Sequence, residues 1–339
     1  MIRARTVLGA TGAVVVGVFV LGACTESTDS PSTSDTPAIV TSLPPSETTV
    51  PPNMVFFDSD RNGNFELHTM NPDGSGVRQV TNDDRWDSWW PRISPDREQV
   101  LFYRTPTGVH DLDFTKTSLW VMTADGSTIV ELRPAGTDGW QVQGHAEWSP
   151  DGERLVMFGG RESNSQIFVT TATGREPRAI TDRGGINLDP SWSPDGQTIA
   201  FIGCPRSVCF PSDYEVYTIA ASGSGEVTRL TEDDLRDHDP YYSPDGTQLA
   251  WLTQTSTQGP TGAWNIRVSA ADGSGLRRLT DDSNINSKPE WSGDGTRIFF
   301  HRLEIGRHEG FSIFSIALDG TDLVELTLDQ PGVNEFPSI

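Results

Sequence analysis

A turn sequence close to Ser-Pro-Asp-Gly recurs five times in this 339-residue chain. The copies lie at residues 94–97, 149–152, 193–196, 243–246 and 292–295, roughly 45 to 55 residues apart. A period of this length is typical of propellers and other repeat architectures. A short apolar run follows each copy, such as residues 155–158 or 249–252, and predicts a buried strand.

Each repeat continues with two further strand-like segments. A third apolar segment precedes an Asp-Gly turn or a similar one, and a fourth short segment ends in Thr, as at residues 266–268 and 278–280. Four strands per repeat, with no helical segment of useful length, predict a propeller blade. Six second strands can be counted, so we predict an all-β fold, a six-bladed β-propeller over residues 54–339.

The first repeat lacks an innermost strand of its own, because no strand-like segment precedes Met54. Residues 335–339 align with residues 188–192, which begin the innermost strand of a later repeat. We therefore expect the C-terminal segment to join the first blade and close the ring, which leaves no open sheet edge.

These repeats resemble the Pro-Asp, WD40-like repeats of the TolB-type propeller family. The resemblance covers about residues 54–339, which is nearly the whole folded part. It implies a propeller fold. A propeller hosts many unrelated activities, so the resemblance does not by itself assign a function.

The N-terminal residues are typical of a bacterial lipoprotein signal. Arg3 and Arg5 precede an apolar stretch over residues 7–21, and Leu-Gly-Ala-Cys ends at Cys24. We predict a signal peptide over residues 1–23 and lipid, including palmitate, on Cys24. An uncleaved membrane anchor is the alternative. Either case places the domain on the extracytoplasmic face of the cell membrane, in the bacterial envelope.

Residues 24–53 are rich in Ser, Thr and Pro and have few large apolar side chains. This composition predicts an extended tether, either O-glycosylated or bare. Cys204 and Cys209 lie in one loop, and in an oxidising compartment we predict a disulfide between them. A Cys-x4-Cys metal half-site would need two more ligands.

The formal net charge of −22 and the lack of a basic stripe argue against a nucleic-acid partner and against direct adhesion to anionic lipid. The chain's own contact with the membrane is therefore expected through the lipid anchor. A basic partner or a cation remains compatible with this charge.

The two faces of the predicted disc differ. The turns between first and second strands and between third and fourth strands are short and uniform, whereas the other loops are long and irregular. Irregular loops on a rigid scaffold are where binding sites usually lie. Six residue pairs enter the innermost strands from the irregular side and should surround the channel mouth: 89–90, 144–145, 188–189, 238–239, 287–288 and 335–336.

From this side we nominate a set of candidate ligand-contacting residues: Trp86, Trp89, Trp90, Trp140, His145, Asp189, Asp237, His238, Asp239 and Glu335. Aromatic side chains beside carboxylates could form a platform for a sugar or a peptide, although buried aromatic residues are the common alternative. The histidines and aspartates could ligate a metal, but we expect a hydrated polar channel mouth without one. Residues 58–63 match the start of an EF-hand loop; with Thr69 at its twelfth position, a hairpin turn is expected instead.

No Gly-x-Ser-x-Gly motif occurs in the chain, and no catalytic residue or cofactor is predicted. We therefore expect a non-catalytic binding or scaffold module for an envelope protein, peptide or glycan. The alternative is an extracellular hydrolase or lyase that acts on a glycan or ester through carboxylates at the channel mouth. A propeller that gates a separately encoded hydrolase is a third possibility.

Overall fold

The computed structural model describes residues 40–206, 208–256, 262–307 and 310–339. The predicted signal peptide and Cys24 lie outside the described residues. Within these ranges no helix has the length and apolar character needed to cross a membrane.

Strands make up nearly all of the regular secondary structure of the described residues, and the helices there are single 3-10 turns at His110–Leu112, Phe114–Lys116, Thr137–Gly139 and Pro211–Asp213. The strands, numbered in chain order, are β1 (Val55–Ser59), β2 (Glu66–Met70), β3 (Arg78–Gln79), β4 (Trp86–Ile93), β5 (Gln99–Pro106), β6 (Ser118–Thr123), β7 (Ile129–Arg133), β8 (Val142–Trp148), β9 (Arg154–Arg161), β10 (Asn164–Thr171), β11 (Arg178–Ala179), β12 (Ile186–Trp192), β13 (Thr198–Cys204), β14 (Glu215–Ala220), β15 (Thr228–Arg229), β16 (Arg236–Tyr242), β17 (Gln248–Ser256), β18 (Ala263–Ala270), β19 (Arg277–Arg278), β20 (Ile285–Trp291), β21 (Arg297–Leu303), β22 (Ser312–Ala317), β23 (Val324–Glu325) and β24 (Asn334–Ser338).

The strands form antiparallel sheets, and the all-β propeller is confirmed. Four sheets have four strands each: β24-β1-β2-β3, β4–β7, β8–β11 and β12–β15. The other eight strands form one sheet in which the antiparallel sets β16–β19 and β20–β23 are joined by a parallel bridge between Trp264 and Ile285. Four separate four-stranded blades are thus seen instead of six, because β18 and β20 approach closely enough to hydrogen-bond.

The predicted closing strand is present. β24 pairs antiparallel with β1, with Phe56 opposite Ser338 and Ser59 opposite Asn334. The last strand therefore completes the sheet that the first strand begins, and neither strand leaves an open edge at this junction.

The Ser-Pro-Asp-Gly turns are held by side-chain hydrogen bonds. In the third copy, Ser193 Oγ donates to Asp195 Oδ1 (2.6 Å), which also accepts from the Gln197 N–H (3.0 Å). The Thr198 N–H donates back to Ser193 Oγ (2.9 Å). Gly196 has φ +67°, a left-handed conformation that glycine adopts without a steric penalty. These contacts explain why the motif recurs in sequence.

The recurrent tryptophans fill the core between blades, as the repeat position predicts. Trp148, Trp192 and Trp291 are 6–7 % exposed. Each indole N–H donates to a carbonyl of the preceding innermost strand; Trp148 Nε1, for example, lies 3.1 Å from the Arg92 oxygen. The indoles therefore join neighbouring blades through both apolar packing and a hydrogen bond.

The two faces of the disc differ as expected. The tight-turn face carries the turns β4–β5 and β6–β7 and their equivalents, and the loop face carries the loops β5–β6, β13–β14 and β21–β22 and the connections between blades. Residues 40–53, here called the strap, run along the tight-turn face. The Val50 N–H donates to the Arg97 oxygen, Arg97 Nε donates to the Val50 oxygen (2.9 Å), and Gln99 Nε2 donates to the Pro44 oxygen (2.7 Å). The described end of the predicted tether is thus docked on the propeller.

Candidate functional site

One residue in each of six innermost strands has a positive φ although none is glycine. They are Trp90 (56°), His145 (50°), Asp189 (50°), Asp239 (53°), Lys288 (53°) and Phe336 (48°). These are the second members of the six pairs expected at the channel mouth. The strand register shifts at each position, which marks a β-bulge. Proline follows five of the six and cannot donate to the ladder, which favours a bulge there.

These six side chains, here called the axial ring, meet at the centre of the propeller. The Trp90 indole stacks on His145 with ring centroids 4.2 Å apart, and its centroid lies 5.1 Å from that of Phe336. Lys288 Nζ lies 4.0 Å from the Trp90 ring centroid and forms an ion pair with Asp239. No member is more than 6 % exposed. At this level the axis is filled by side chains.

Asp189 is the anionic centre of the ring. It accepts from His238 Nδ1 (2.8 Å) on one oxygen and contacts His145 Nδ1 with the other. Burial alone would raise the pKa of Asp189, but the two imidazoles hold it well below its usual range. Burial lowers the pKa of both histidines, with Lys288 adding to the effect on His145 and Arg236 to that on His238. The imidazoles are therefore neutral near pH 7 and donate to a charged carboxylate.

The structure brings together the four residues that were considered as metal ligands, His145, Asp189, His238 and Asp239. Ligand atoms of three of them, His145, Asp189 and Asp239, lie within 4.8 Å of one another. The Lys288 ammonium already contacts Asp239 there. A protein cation thus occupies the position at which a metal would neutralise the carboxylates.

A second layer of polar residues fills the axis two positions further along the innermost strands. Arg92 contacts Glu147 through Nε, donates to the Tyr241 hydroxyl (2.7 Å) and lies 3.8 Å from a Glu290 oxygen. Burial alone would lower the pKa of Arg92, but the carboxylate of Glu147 and its other anionic neighbours raise it. Burial raises the pKa of Glu290 to about 7. This layer remains partly open to solvent, because the Glu147 and Glu290 side chains are 15 % and 21 % exposed.

The tryptophans expected to form a ligand platform are buried. Trp89 is 0 % exposed and Trp90 is 1 % exposed, and both belong to the apolar cluster between β4 and β8. They therefore do not form the exposed surface expected of them, because the blades close tightly enough for both indoles to fill the space between strands. The carboxylates of the axial ring are likewise buried, which does not favour a reaction at an open channel mouth.

The remaining candidates lie apart from the axial ring. Trp86 is half-buried, with its centroid 6.3 Å from that of Trp120. Trp140 is half-buried between Arg133 and Phe168. Asp237 is fully buried and Glu335 lies near the closing seam. The ten nominated residues therefore do not form one site.

Six residues along the axis were not nominated as candidates in the sequence analysis: Arg92, Glu147, Tyr241, Lys288, Glu290 and Phe336. Each of them either is the bulge residue of its innermost strand or lies two residues after it, and the bulge residue is usually followed by Pro. The aligned bulge positions of the repeats could have identified all of them, had every residue at these positions and two residues further along been considered.

The loop face carries most of the strongly exposed large apolar side chains among the described residues. They are Leu112 (66 %), Val208 (67 %), Phe210 (62 %), Ile305 (55 %) and Leu328 (55 %). Three others, Leu276, Leu323 and Val324, lie on the tight-turn side and are 38–50 % exposed. These five residues lie in four separate segments of the loop face, which offers more exposed apolar surface for contact with another protein than the tight-turn face does.

Phe210 directly follows Cys209, the second cysteine of the predicted disulfide in the β13–β14 loop. The Sγ atoms of Cys204 and Cys209 are 2.19 Å apart, in a disulfide arrangement. Beside this loop the loop face has a groove of about 610 Å³, lined by carboxylates and arginines of the β13–β14 loop and the β15–β16 connection. Arg206 pairs with Asp213 (2.7 Å) at its edge. The groove is polar, and none of the five exposed apolar residues of the loop face lines it.

Comparisons with known proteins bear on this fold. No protein-family model matches the chain. An uncharacterised protein of Agrobacterium fabrum is 33% identical over 157 residues, which are 45% of this chain and 48% of that protein. A TolB homologue of Chlorobium luteolum is 30% identical over 151 residues, which are 44% of this chain and 31% of that protein. The chain thus spans about half or less of these curated relatives.

A solved structure extends the comparison to most of the propeller. TolB from Acinetobacter baumannii matches with a TM-score of 0.65 at 16% identity, covering 84% of this chain and 66% of that chain. The fold is a TolB-like β-propeller. At this sequence identity the similarity concerns architecture, and the function has to be argued from the surface and the interior of this chain.

Proposed function

We propose that this protein is a lipid-anchored, extracytoplasmic β-propeller that binds another envelope protein through its loop face, without catalysing a reaction. The observation that carries the proposal is the position of the exposed apolar side chains described above. The partner should offer an apolar surface with basic side chains around it, because the chain has a net charge of −22. Similarity to TolB proteins, one of which is named a Tol-Pal system protein, supports a role in the envelope.

The domain division follows the same proposal. Residues 1–23 act as a signal peptide, Cys24 carries lipid, and residues 24–53 connect the anchor to a propeller over residues 54–339. The two antiparallel halves of the eight-stranded sheet act as separate blades, which makes the ring six-bladed. Since the strap is docked on the tight-turn face, that face would lie toward the membrane and the loop face away from it.

The binding role is tested by comparing matched substitutions on the two faces. Phe210→Ser and Leu112→Ser each remove one exposed apolar side chain from the loop face, and Leu276→Ser and Leu323→Ser do so on the tight-turn face. After crosslinking in the native cells, we expect the loop-face variants to lose a specific protein neighbour that the other two retain. Equal retention by all four variants, or crosslinks to glycan alone, would contradict the proposal.

The anchor is tested separately. Cys24→Ala should abolish labelling by a palmitate analogue and move the protein from the membrane fraction to the soluble fraction. Continued lipid labelling in this variant would refute the assignment of Cys24.

A further inference from the structure

A second buried cluster of titratable side chains lies at the seam where the ring closes. Asp58 belongs to β1, Glu335 to β24, and His110 to the loop between β5 and β6. These residues are 0 %, 4 % and 7 % exposed. His110 Nε2 lies 3.1 Å from Asp58 Oδ2, and His110 Nδ1 lies 3.8 Å from Glu335 Oε2.

The histidine is held in place by groups outside the cluster. Its ring stacks on Phe65 with centroids 3.7 Å apart. The backbone N–H groups of His110 and Gly108 both donate to Asp87 Oδ2, at 3.1 and 2.7 Å. A side chain fixed by stacking and by a supporting carboxylate has little freedom left to lose when it binds a ligand.

The Glu335 carboxylate is unsatisfied. Glu335 Oε2 lies 3.8 Å from His110 Nδ1, which is an ion-pair distance but exceeds hydrogen-bond distance, and none of the described residues donates a hydrogen bond to this carboxylate. A buried carboxylate without a hydrogen-bond donor is destabilising. Glu335 therefore requires a partner that the described side chains do not supply.

The cluster also has an excess of negative charge. Asp111 lies 3.2 Å from His110 Nδ1, so three carboxylates face one imidazole. The nearby Arg61 side chain is engaged elsewhere, donating to Gln330 and to Asn334. The missing partner should therefore be a cation. The axial ring differs in this respect, because Lys288 supplies the positive charge there.

We propose that Asp58, His110 and Glu335 bind one divalent transition-metal ion. One ligand atom from each residue lies within 4.8 Å of the other two, a spacing that small side-chain movements would bring into coordination range. An imidazole together with carboxylates suits Zn²⁺ or Mn²⁺, whereas Ca²⁺ prefers oxygen ligands alone. Because the three ligands come from the first strand, the last strand and a neighbouring loop, the ion would latch the ring at its closure.

The test uses the folded full-length protein after treatment with a chelator. Calorimetric titration with Zn²⁺ and with Mn²⁺ should show one bound ion per chain, and saturation should raise the melting temperature. Glu335→Gln keeps the shape of the side chain and removes its charge, so we expect metal affinity to fall by about tenfold or more. Glu290→Gln removes the same formal charge from a side chain that is 21 % exposed in the second polar layer, and it should leave the affinity unchanged.

Hydrogen exchange of the unaltered protein provides a readout that needs no variant. Bound metal should slow exchange at residues 334–338 and 107–111 more than elsewhere. The proposal is overturned if neither Zn²⁺ nor Mn²⁺ binds, if only Ca²⁺ binds, if Glu335→Gln binds as tightly as the unaltered chain, or if the protection falls on other strands.

Discussion

Asp237 makes the stability of the propeller depend on pH in a way that one substitution should remove. Its carboxyl group is 0 % exposed and accepts from Thr253 Oγ1 (2.6 Å) and from Trp251 Nε1 (3.2 Å). Burial raises its pKa from 3.8 to about 7, and the carboxylates of Asp233 and Glu215 act in the same direction. Between about pH 4 and about pH 7, Asp237 therefore keeps its proton in the folded protein and has released it in the unfolded chain.

The size of the effect follows from these two pKa values. A raised acid pKa contributes stability that is fully present below about pH 4 and is lost as the pH rises to about 7. Between about pH 5 and about pH 8 the loss amounts to about 3 kcal/mol. Asp237→Asn does not titrate, and its amide oxygen can still accept from Thr253. The stability of this variant relative to the unaltered chain should therefore increase by about 3 kcal/mol over this range.

The measurement is urea-induced unfolding of both proteins at the two pH values. Asp281→Asn is the matched control, because this carboxylate has the same charge and its side chain is 69 % exposed. Its stability difference from the unaltered chain should be nearly independent of pH. A pH-independent difference for Asp237→Asn would refute the argument that the buried carboxyl group holds a proton.

Three further substitutions test other parts of the structure. Lys288→Met should destabilise the fold by about 3–5 kcal/mol, because it leaves Asp239 buried without its cation. Adding Asp239→Asn should restore most of this stability, as measured by equilibrium unfolding. If the losses of the two substitutions add in the double variant, the two side chains do not act as a pair. Replacing Cys204 and Cys209 with Ser should reduce stability by about 2 kcal/mol and speed hydrogen exchange only in the loop that contains them. Loss of the circular dichroism signal of the whole propeller would contradict this local role. Val50→Ser places a hydroxyl at a buried position and should expose the strap to limited proteolysis, while the propeller resists it; unchanged cleavage would show that the strap is held by other contacts.

Much of the architecture could be predicted because it is specified locally and repeatedly. The hydrogen bonds of the Ser193–Gly196 turn join residues that are only a few positions apart in sequence, so the motif alone predicts the turn. The closing strand was also predictable, because Phe336 aligns with the bulge residue of other repeats. Such regularities require no knowledge of distant contacts.

The candidate site was harder to predict, because its properties depend on how tightly the ring closes. Whether Trp90 faces solvent or stacks on His145 is decided by the distance between blades, which no single repeat specifies. The parallel bridge between Trp264 and Ile285 also depends on the distance between neighbouring blades. His110 lies in an irregular loop without a repeat equivalent, so its place between Asp58 and Glu335 could be found only from the folded chain.

If the protein is tethered at its N-terminus as proposed, the strap also has a mechanical consequence. Tension transmitted from the membrane would act first on the hydrogen bond between Pro44 and Gln99, and then on those between Val50 and Arg97 in the tight turn between β4 and β5. It would reach β1, and through β1 the paired strand β24, only after those bonds had broken. The docked strap would thus reduce the force that reaches the pairing of β1 with β24, which closes the ring.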